Sequence, residues 1–180
     1  MAVMTPDLKK LIRTIPDHPK PGIMFRDVTT LFGDAQGFKA CIAQMTAPYQ
    51  AVPIDAIAGI EARGFILGGA MADKLGVGFI PIRKKGKLPW KTYKQDYQLE
   101  YGTDTIEMHE DALARGRRVL IVDDLIATGG TAEAAAKLID RAGGEIVGGA
   151  FIIDLPDLGG RALLEKRGVT CHVLMTFAGH

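Results

Sequence analysis

Two adjacent acids, Asp123 and Asp124, close a short apolar run, Val119-Leu120-Ile121-Val122. After Leu125-Ile126 come Ala127-Thr128-Gly129-Gly130-Thr131 and then a segment of helical period. Paired carboxylates at a strand end can accept hydrogen bonds from the two vicinal hydroxyls of a ribose. The Thr-Gly-Gly-Thr turn lets successive backbone N–H groups converge, because glycine reaches positive φ without steric cost. A helix starting there presents unpaired amides and the positive end of its dipole, which suit a dianionic phosphate, and Thr128 and Thr131 add hydroxyl donors. A ribose 5-phosphate fits both halves at once. A tight strand-to-helix turn with solvated acids is the plainer reading, weakened by the glycines and both threonines occurring together. The turn is not a Walker loop, since no Gly-Lys-Ser/Thr follows, and no strand is followed by G-x-G-x-x-G.

Three other segments hold candidate chemistry. The run Ala56-Ile57-Ala58-Gly59-Ile60 leads into Glu61-Ala62-Arg63-Gly64 and another helical segment. Its amides and Arg63 could hold a second anion, or the loop is an ordinary connection with an exposed arginine. Residues 83–102 carry Arg83, Lys84, Lys85, Lys87, Lys91 and Lys94, with Tyr93, Tyr97 and Tyr101 at four-residue intervals. Cations over a phosphate site would neutralise the ligand, and a closing loop would keep water from a reactive sugar centre. A solvated basic hairpin and a nucleic-acid patch with interleaved aromatics are the competing readings. Pro21-Gly22-Ile23-Met24-Phe25-Arg26-Asp27 is a proline-framed extended stretch. Its main chain could read a donor and an acceptor on one edge of a flat heterocycle while an aromatic ring stacks on the base; alone, it reads as a structural loop.

The remaining pattern supplies a scaffold that brings strand ends together. Residues 56–60, 77–82, 119–122 and 146–153 are short, nearly unbroken apolar runs, as in strands buried on both faces of a parallel sheet. Helical segments at 65–75, 131–142 and 161–167 alternate with them, and 171–177 adds a last strand. Alternation of this kind predicts an α/β fold with a mostly parallel, doubly wound sheet and flanking helices, whose ligands bind beyond the carboxyl ends of the strands. Ahead of the sheet, Thr5-Pro6-Asp7 predicts a helix running to Ile15, and residues 34–45 a second helix. Residues 88–106 break the rhythm and have room for a hairpin standing off the sheet. From Asp154 onward no motif occurs.

The 180 residues fit one domain, 1–180, with a small hood at about 1–33 and a lid at about 83–106. A formal net charge of +1 gives no general reason to bind nucleic acid or an anionic membrane. Cys41 and Cys171 sit in apolar stretches and read as core residues in a reducing compartment. No apolar stretch approaches the roughly 20 residues of a membrane span. The first residues carry Asp7, Lys9, Lys10 and Arg13 without an apolar signal region, so the chain reads as soluble and cytoplasmic. His18, His109, His172 and His180 are scattered and suggest no transition-metal site.

The run from Val122 to Thr131 resembles the phosphoribosyl pyrophosphate (PRPP) motif of the type I phosphoribosyltransferases. The resemblance implies that Asp123 and Asp124 hold the ribose hydroxyls and that Ala127, Thr128, Gly129, Gly130 and Thr131 hold the 5-phosphate. Residues 59–65 resemble the pyrophosphate loop of the family's adenine-specific members. That implies a cis peptide between Glu61 and Ala62, a loop on pyrophosphate, and a catalytic part for Arg63. Residues 83–89 and 97–102 are similar to segments of the same members, implying that Lys84 and Lys87 reach pyrophosphate and Tyr101 lies against substrate. The same resemblance gives Glu100 the role of the acid meeting adenine N7, protonated through burial. Residues 21–27 resemble the adenine-binding hood, where Phe25 stacks on the base and the main chains of Met24 and Arg26 read its edge; Met24 replaces a different apolar residue. The implied activity is transfer of the 5-phosphoribosyl group from PRPP to N9 of adenine, giving AMP and pyrophosphate. It also implies Mg²⁺ held mainly by PRPP and water, with no dedicated protein ligand, and a homodimer. A transferase for another base, or a PRPP sensor without turnover, stays open at this point.

Overall fold

A computed structural model describes residues 6–99 and 102–179. At the N-terminus the expected helix is a single 3-10 turn, Leu8–Leu11, capped by Asp7, which accepts from the Lys9 amide; Thr5 lies outside the described residues. The chain then enters a strand, β1 (Arg13–Ile15), and returns as β2 (Phe25–Asp27), pairing antiparallel with Ile15 opposite Phe25. Thr14 and Ile15 are β-branched, and a ladder partner only ten residues away draws them out of the helix. Arg13 locks the ribbon through an ion pair with Asp27 at 2.5 Å, and Asp27 also accepts from the amide and hydroxyl of Thr29. The bonds from Thr29 and then Arg13 pull the Asp27 carboxyl from 3.8 down to about 2. Two helices follow, α1 (Thr29–Gly33) and α2 (Ala35–Thr46), the second capped by Asp34 accepting from Gly37 N at 2.6 Å.

The rest alternates as the apolar runs require: β3 (Ala56–Ile60), α3 (Arg63–Leu75), β4 (Gly78–Lys84), β5 (Thr92–Gln98), β6 (Thr103–His109), β7 (Arg118–Ile126), α4 (Gly130–Arg141), β8 (Glu145–Asp154), α5 (Gly160–Lys166) and β9 (Cys171–Thr176). The strands form one sheet in the order β5-β6-β4-β3-β7-β8-β9, parallel from β4 to β9. Its faces are covered separately. Ile57, Leu120 and Val122 pack with Leu67 and Met71 of α3 and Cys41 and Met45 of α2, whereas Ile60, Ile82, Val119 and Ile121 pack with Ala134, Ala135 and Leu138 of α4. Both cysteines are buried as expected, and burial pushes their thiols up to about 12 at Cys41 and about 11 at Cys171. Among the described residues no helix is long and apolar enough to cross a membrane.

Two features differ from the pattern the sequence suggests. The hairpin does not stand off the sheet: β6 pairs with the end of β4, Arg83 opposite Glu107 and Lys84 opposite Ile106, so β5 and β6 extend the sheet's edge. Four-residue spacing keeps side chains on one face of a strand, and that face packs on α4, where Tyr97 is buried and Tyr93 lies under Arg141. These two tyrosines therefore hold the hairpin down. The acids, moreover, do not end their strand. Pairing of β7 with β3 stops at Val122, but pairing with β8 continues to Ile126 opposite Asp154. Asp123 and Asp124 thus lie inside β7, just past the end of its neighbour.

That offset falls where the chain order reverses, since β4 lies beyond β3 on one side and β8 beyond β7 on the other. A crevice at such a reversal is the usual ligand site of an open parallel sheet. The loops after β3 and β7 both enter it. The start of α5 supports the second loop from outside: Gly160 N donates to Ala127 O at 2.9 Å, and a Cβ on Gly160 would lie 2.3 Å from Ala127 O and 2.5 Å from Gly129 N.

Gly160→Ala should accordingly cost about 2 kcal/mol or more in stability, since both clashes are with main chain, and should weaken phosphate-ester binding. Thermal melts and AMP titration check this. The depressed Asp27 carboxyl contributes stability above 3.8 that is lost as pH falls toward about 2. Asp27→Asn should flatten that acid limb in denaturant melts from pH 7 to 2 and cost roughly 1–2 kcal/mol at neutral pH.

Candidate active site

Two helices begin at the crevice, one on each face of the sheet, without a side-chain cap. At α4 the preceding residue is Gly129, with φ +83°, and at α3 it is Ala62. Their first-turn amides are therefore open to an anion, and the dipoles of both helices reinforce that preference. The peptide between Glu61 and Ala62 is cis, where the resemblance to the pyrophosphate loop put it. Gly64 lets α3 approach β7 closely: a Cβ there would lie 2.7 Å from Val122 O and 3.1 Å from Asp123 Oδ1.

The turn after β7 forms a hollow lined by Asp123, Leu125, Ile126 and residues 127–132. It gathers Asp123, Ala127, Thr128, Gly129, Gly130 and Thr131 as the sequence predicts. Burial and the neighbouring Asp124 carboxylate push the Asp123 carboxyl well above the usual carboxylate range. Asp124 is turned elsewhere. Its Oδ2 accepts from Arg63 Nε at 2.5 Å, and its own amide donates to Asp123 Oδ1. The two carboxyls nevertheless stay close enough to interact, and only Asp123 lines the hollow.

A second, mostly apolar hollow is lined by Ile23, Met24, Phe25, Arg26, Arg63, Leu125, Ala127, Leu155 and Leu158. Met24, Phe25 and Arg26 thus meet Arg63 across a space suited to a flat ring. His18 braces Phe25 edge-to-face at 5.1 Å. The Arg26 guanidinium lies over the Phe177 ring at 4.4 Å and donates to Thr14 Oγ1. With its charge engaged there, Arg26 has mainly backbone to offer a ligand. The two hollows share Leu125 and Ala127. A molecule with a phosphate at one end and a base at the other would run across that wall, its sugar beside the acids.

The basic segment is more neutralised than its composition suggests. Both nitrogens of an Arg83 fork donate to Glu61 at 3.2 Å, the Lys84 amide donates to Glu61 at 3.0 Å, and Lys94 pairs with Glu107 at 3.4 Å. The Arg83 bonds lead in holding the Glu61 carboxyl below its ordinary value. The Lys84 ammonium is engaged by Asp104 and Tyr97 near the turn of the hairpin, outside both hollows. Lys87 stands near Glu61, its carbonyl accepting from Arg83. Glu100 and Tyr101 lie outside the described residues. Sequence reasoning passed over Leu155 and Leu158 in the apolar hollow and Gly160 behind the turn. The only signal was Gly159-Gly160 opening a helical segment.

The chain shares this architecture with known proteins. Residues 38–171 match the family described as phosphoribosyl transferase domain. The adenine phosphoribosyltransferase of Maricaulis maris is 62% identical over 173 residues, 96% of this chain and 99% of that protein. The crystal structure of adenine phosphoribosyltransferase from Rhodothermus marinus superposes with a TM-score of 0.87 at 53% identity, covering 94% of this chain and 96% of that one. The Saccharomyces cerevisiae enzyme, complexed with adenine and an imino-altritol bisphosphate, gives a TM-score of 0.87 at 37% identity, covering 93% and 96%. With a sheet reversal that opens two adjoining hollows and close relatives along nearly its whole length, the chain belongs to the phosphoribosyltransferase family, among the adenine phosphoribosyltransferases.

Proposed function

We propose that the two hollows bind the two halves of one reaction: the 5-phosphoribosyl group of PRPP in front of the turn after β7, and adenine against Phe25. The reaction is transfer of the phosphoribosyl group to N9 of adenine, giving AMP and pyrophosphate in purine salvage. The wall shared by the hollows at Leu125 and Ala127 carries this reading, because it joins a phosphate cradle to an apolar base site across the acids. The yeast relative, solved with adenine and a bisphosphate, supports the same pairing of ligands.

In this reading the amides of residues 127–131 and the hydroxyls of Thr128 and Thr131 hold the 5-phosphate. Asp123 and Asp124 meet the ribose hydroxyls, and Arg63, Lys84, Lys87 and the loop at Glu61-Ala62 hold pyrophosphate. As the bond from the sugar carbon to pyrophosphate breaks, positive charge builds on the ring and N9 attacks. Glu100 donates a proton to N7 while the N9 proton of adenine leaves to solvent, which frees the N9 lone pair for attack, and the carboxylate takes the N7 proton back once N9 has bonded to the sugar. The hairpin with Tyr101 excludes water, and the Met24 and Arg26 main chains orient the base. Mg²⁺ belongs to the proposal through the substrate, and when bound it supplies charge neutralisation on pyrophosphate. Asp123 and Asp124 are hard oxygen donors that would hold it through its waters, and no group of three metal-ligating side chains occurs among the described residues. A homodimer in the cytoplasm completes the reading, and a formal net charge of +1 argues against nucleic acid as a partner.

Adenine-dependent release of pyrophosphate from PRPP tests it, with hypoxanthine, guanine and orotate in parallel. Product with adenine alone is expected, and product with a 6-oxopurine but not adenine would overturn the base assignment. Glu100→Gln should lower kcat about 10²–10⁴-fold, the range of a lost general acid. Asp124→Ala should lose turnover of PRPP, its binding, or both.

A further inference from the structure

Arg63 has two partners that compete for it. It is assigned to pyrophosphate, yet its Nε donates to Asp124, the acid assigned to the sugar. The pair is unequal in exposure: the Asp124 side chain is 5% exposed and that of Arg63 is 42% exposed. The carboxylate is fixed beneath the surface, while the guanidinium reaches it from the open side, in the wall of the base hollow beside Leu125 and Ala127. Arg63 thus already occupies the carboxylate oxygen, Oδ2, that a hydroxyl from the open side would approach. The arginine also has somewhere else to go, since the uncapped start of α3, where it resides, is the place assigned to pyrophosphate. A pyrophosphate carries several negative charges and accepts from a guanidinium in a bidentate fashion, so it competes well with one carboxylate.

We propose that Arg63 is an internal competitor for Asp124, and that the pyrophosphate group opens the sugar site by drawing Arg63 off that carboxylate. The proposal rests on the reading that Asp124 receives the ribose hydroxyls. It makes the two ends of PRPP cooperate: each ligand removes a partner that blocks the other. Linkage requires the coupling to be reciprocal, so ribose phosphate must tighten pyrophosphate by the same factor. The arrangement also favours intact PRPP over a ribose phosphate lacking pyrophosphate, because only PRPP supplies both replacements.

Ribose 5-phosphate and pyrophosphate measure this, since the pair cannot regenerate PRPP without losing water. Calorimetric titrations of the whole protein at fixed magnesium should show pyrophosphate tightening ribose 5-phosphate by about 10-fold, within the usual range of coupling between sites. In Arg63→Gln, ribose 5-phosphate alone should bind several-fold tighter than in the unaltered protein, with the coupling gone. In Asp124→Asn, pyrophosphate alone should bind several-fold tighter, because Arg63 is released. Deleting a ligand-binding residue should thus strengthen one ligand in each case, an outcome that generalised damage would not give. Unchanged or weaker binding of these ligands to natively folded variants, or undiminished coupling in Arg63→Gln, would overturn the proposal. Unaltered protein that binds neither ribose 5-phosphate nor AMP would instead remove the reading of the site itself, and the competition with it.

Discussion

The contact of Gly64 with β7 is the constraint on which the site depends. With 2.7 Å between a would-be Cβ and Val122 O, the first turn of α3 lies directly on the strand that carries the acids. Any side chain at that position would push the helix outward, and Arg63, one residue earlier, would leave Asp124. The start of α4 opens on the same crevice from the other face of the sheet, so the uncapped ends of two helices serve it. Close packing of main chain against main chain therefore comes before the electrostatics. The charges can act on one ligand only because the backbones touch.

The charges themselves form a closed set of exchanges. Carboxylates lining a site for polyanions would repel the ligand, and this structure answers each one separately. Asp123 is held toward its protonated form by burial and by Asp124, Asp124 is covered by Arg63, and Glu61 is covered by Arg83 and the Lys84 amide. Lys84 is in turn occupied by Asp104 and Tyr97. Ligand binding at such a site is a trade of partners rather than the filling of bare charges, and its net free energy is a small difference between large opposing interactions. Selectivity then follows from which ligand can replace the most partners at once.

What the sequence could and could not reveal follows from how local each feature is. The turn at residues 127–131 and the sheet strands were legible because their chemistry and burial are written in consecutive residues. The expected strand at 56–60 coincides with β3, and the helix expected at 34–45 is α2, with Asp34 as its cap. The N-terminal helix was misread because the deciding fact, a ladder partner at Phe25–Asp27, lies across a proline-rich excursion. The hairpin tyrosines read as lid aromatics because spacing alone cannot say which face of a strand meets α4. Leu155, Leu158 and Gly160 were invisible for a different reason. Apolar residues and glycine carry no chemistry of their own, and their part in the site exists only once β8 lies beside β7.

That distinction has a consequence for how the two hollows respond to change. The phosphate hollow is built from one continuous turn supported by Gly160, so its shape is set mainly over a short range. The base hollow is assembled from the chain's extremes. Phe177 lies beneath both Arg26, at 4.4 Å, and the Lys9 ammonium, at 4.7 Å, while Lys9 donates to Thr176 O. Gly179 N donates to Asp157 at 2.7 Å and so ties the C-terminal segment to the 3-10 turn that carries Leu158. Phe25 on one wall and Leu158 on the other are therefore held at their separation by contacts with residues 176–179. Segments outside regular structure open at low free-energy cost unless tied down in this way. Loosening residues 176–179 would widen the apolar hollow before it disturbed the turn after β7, so that hollow is the less local and less robust of the two.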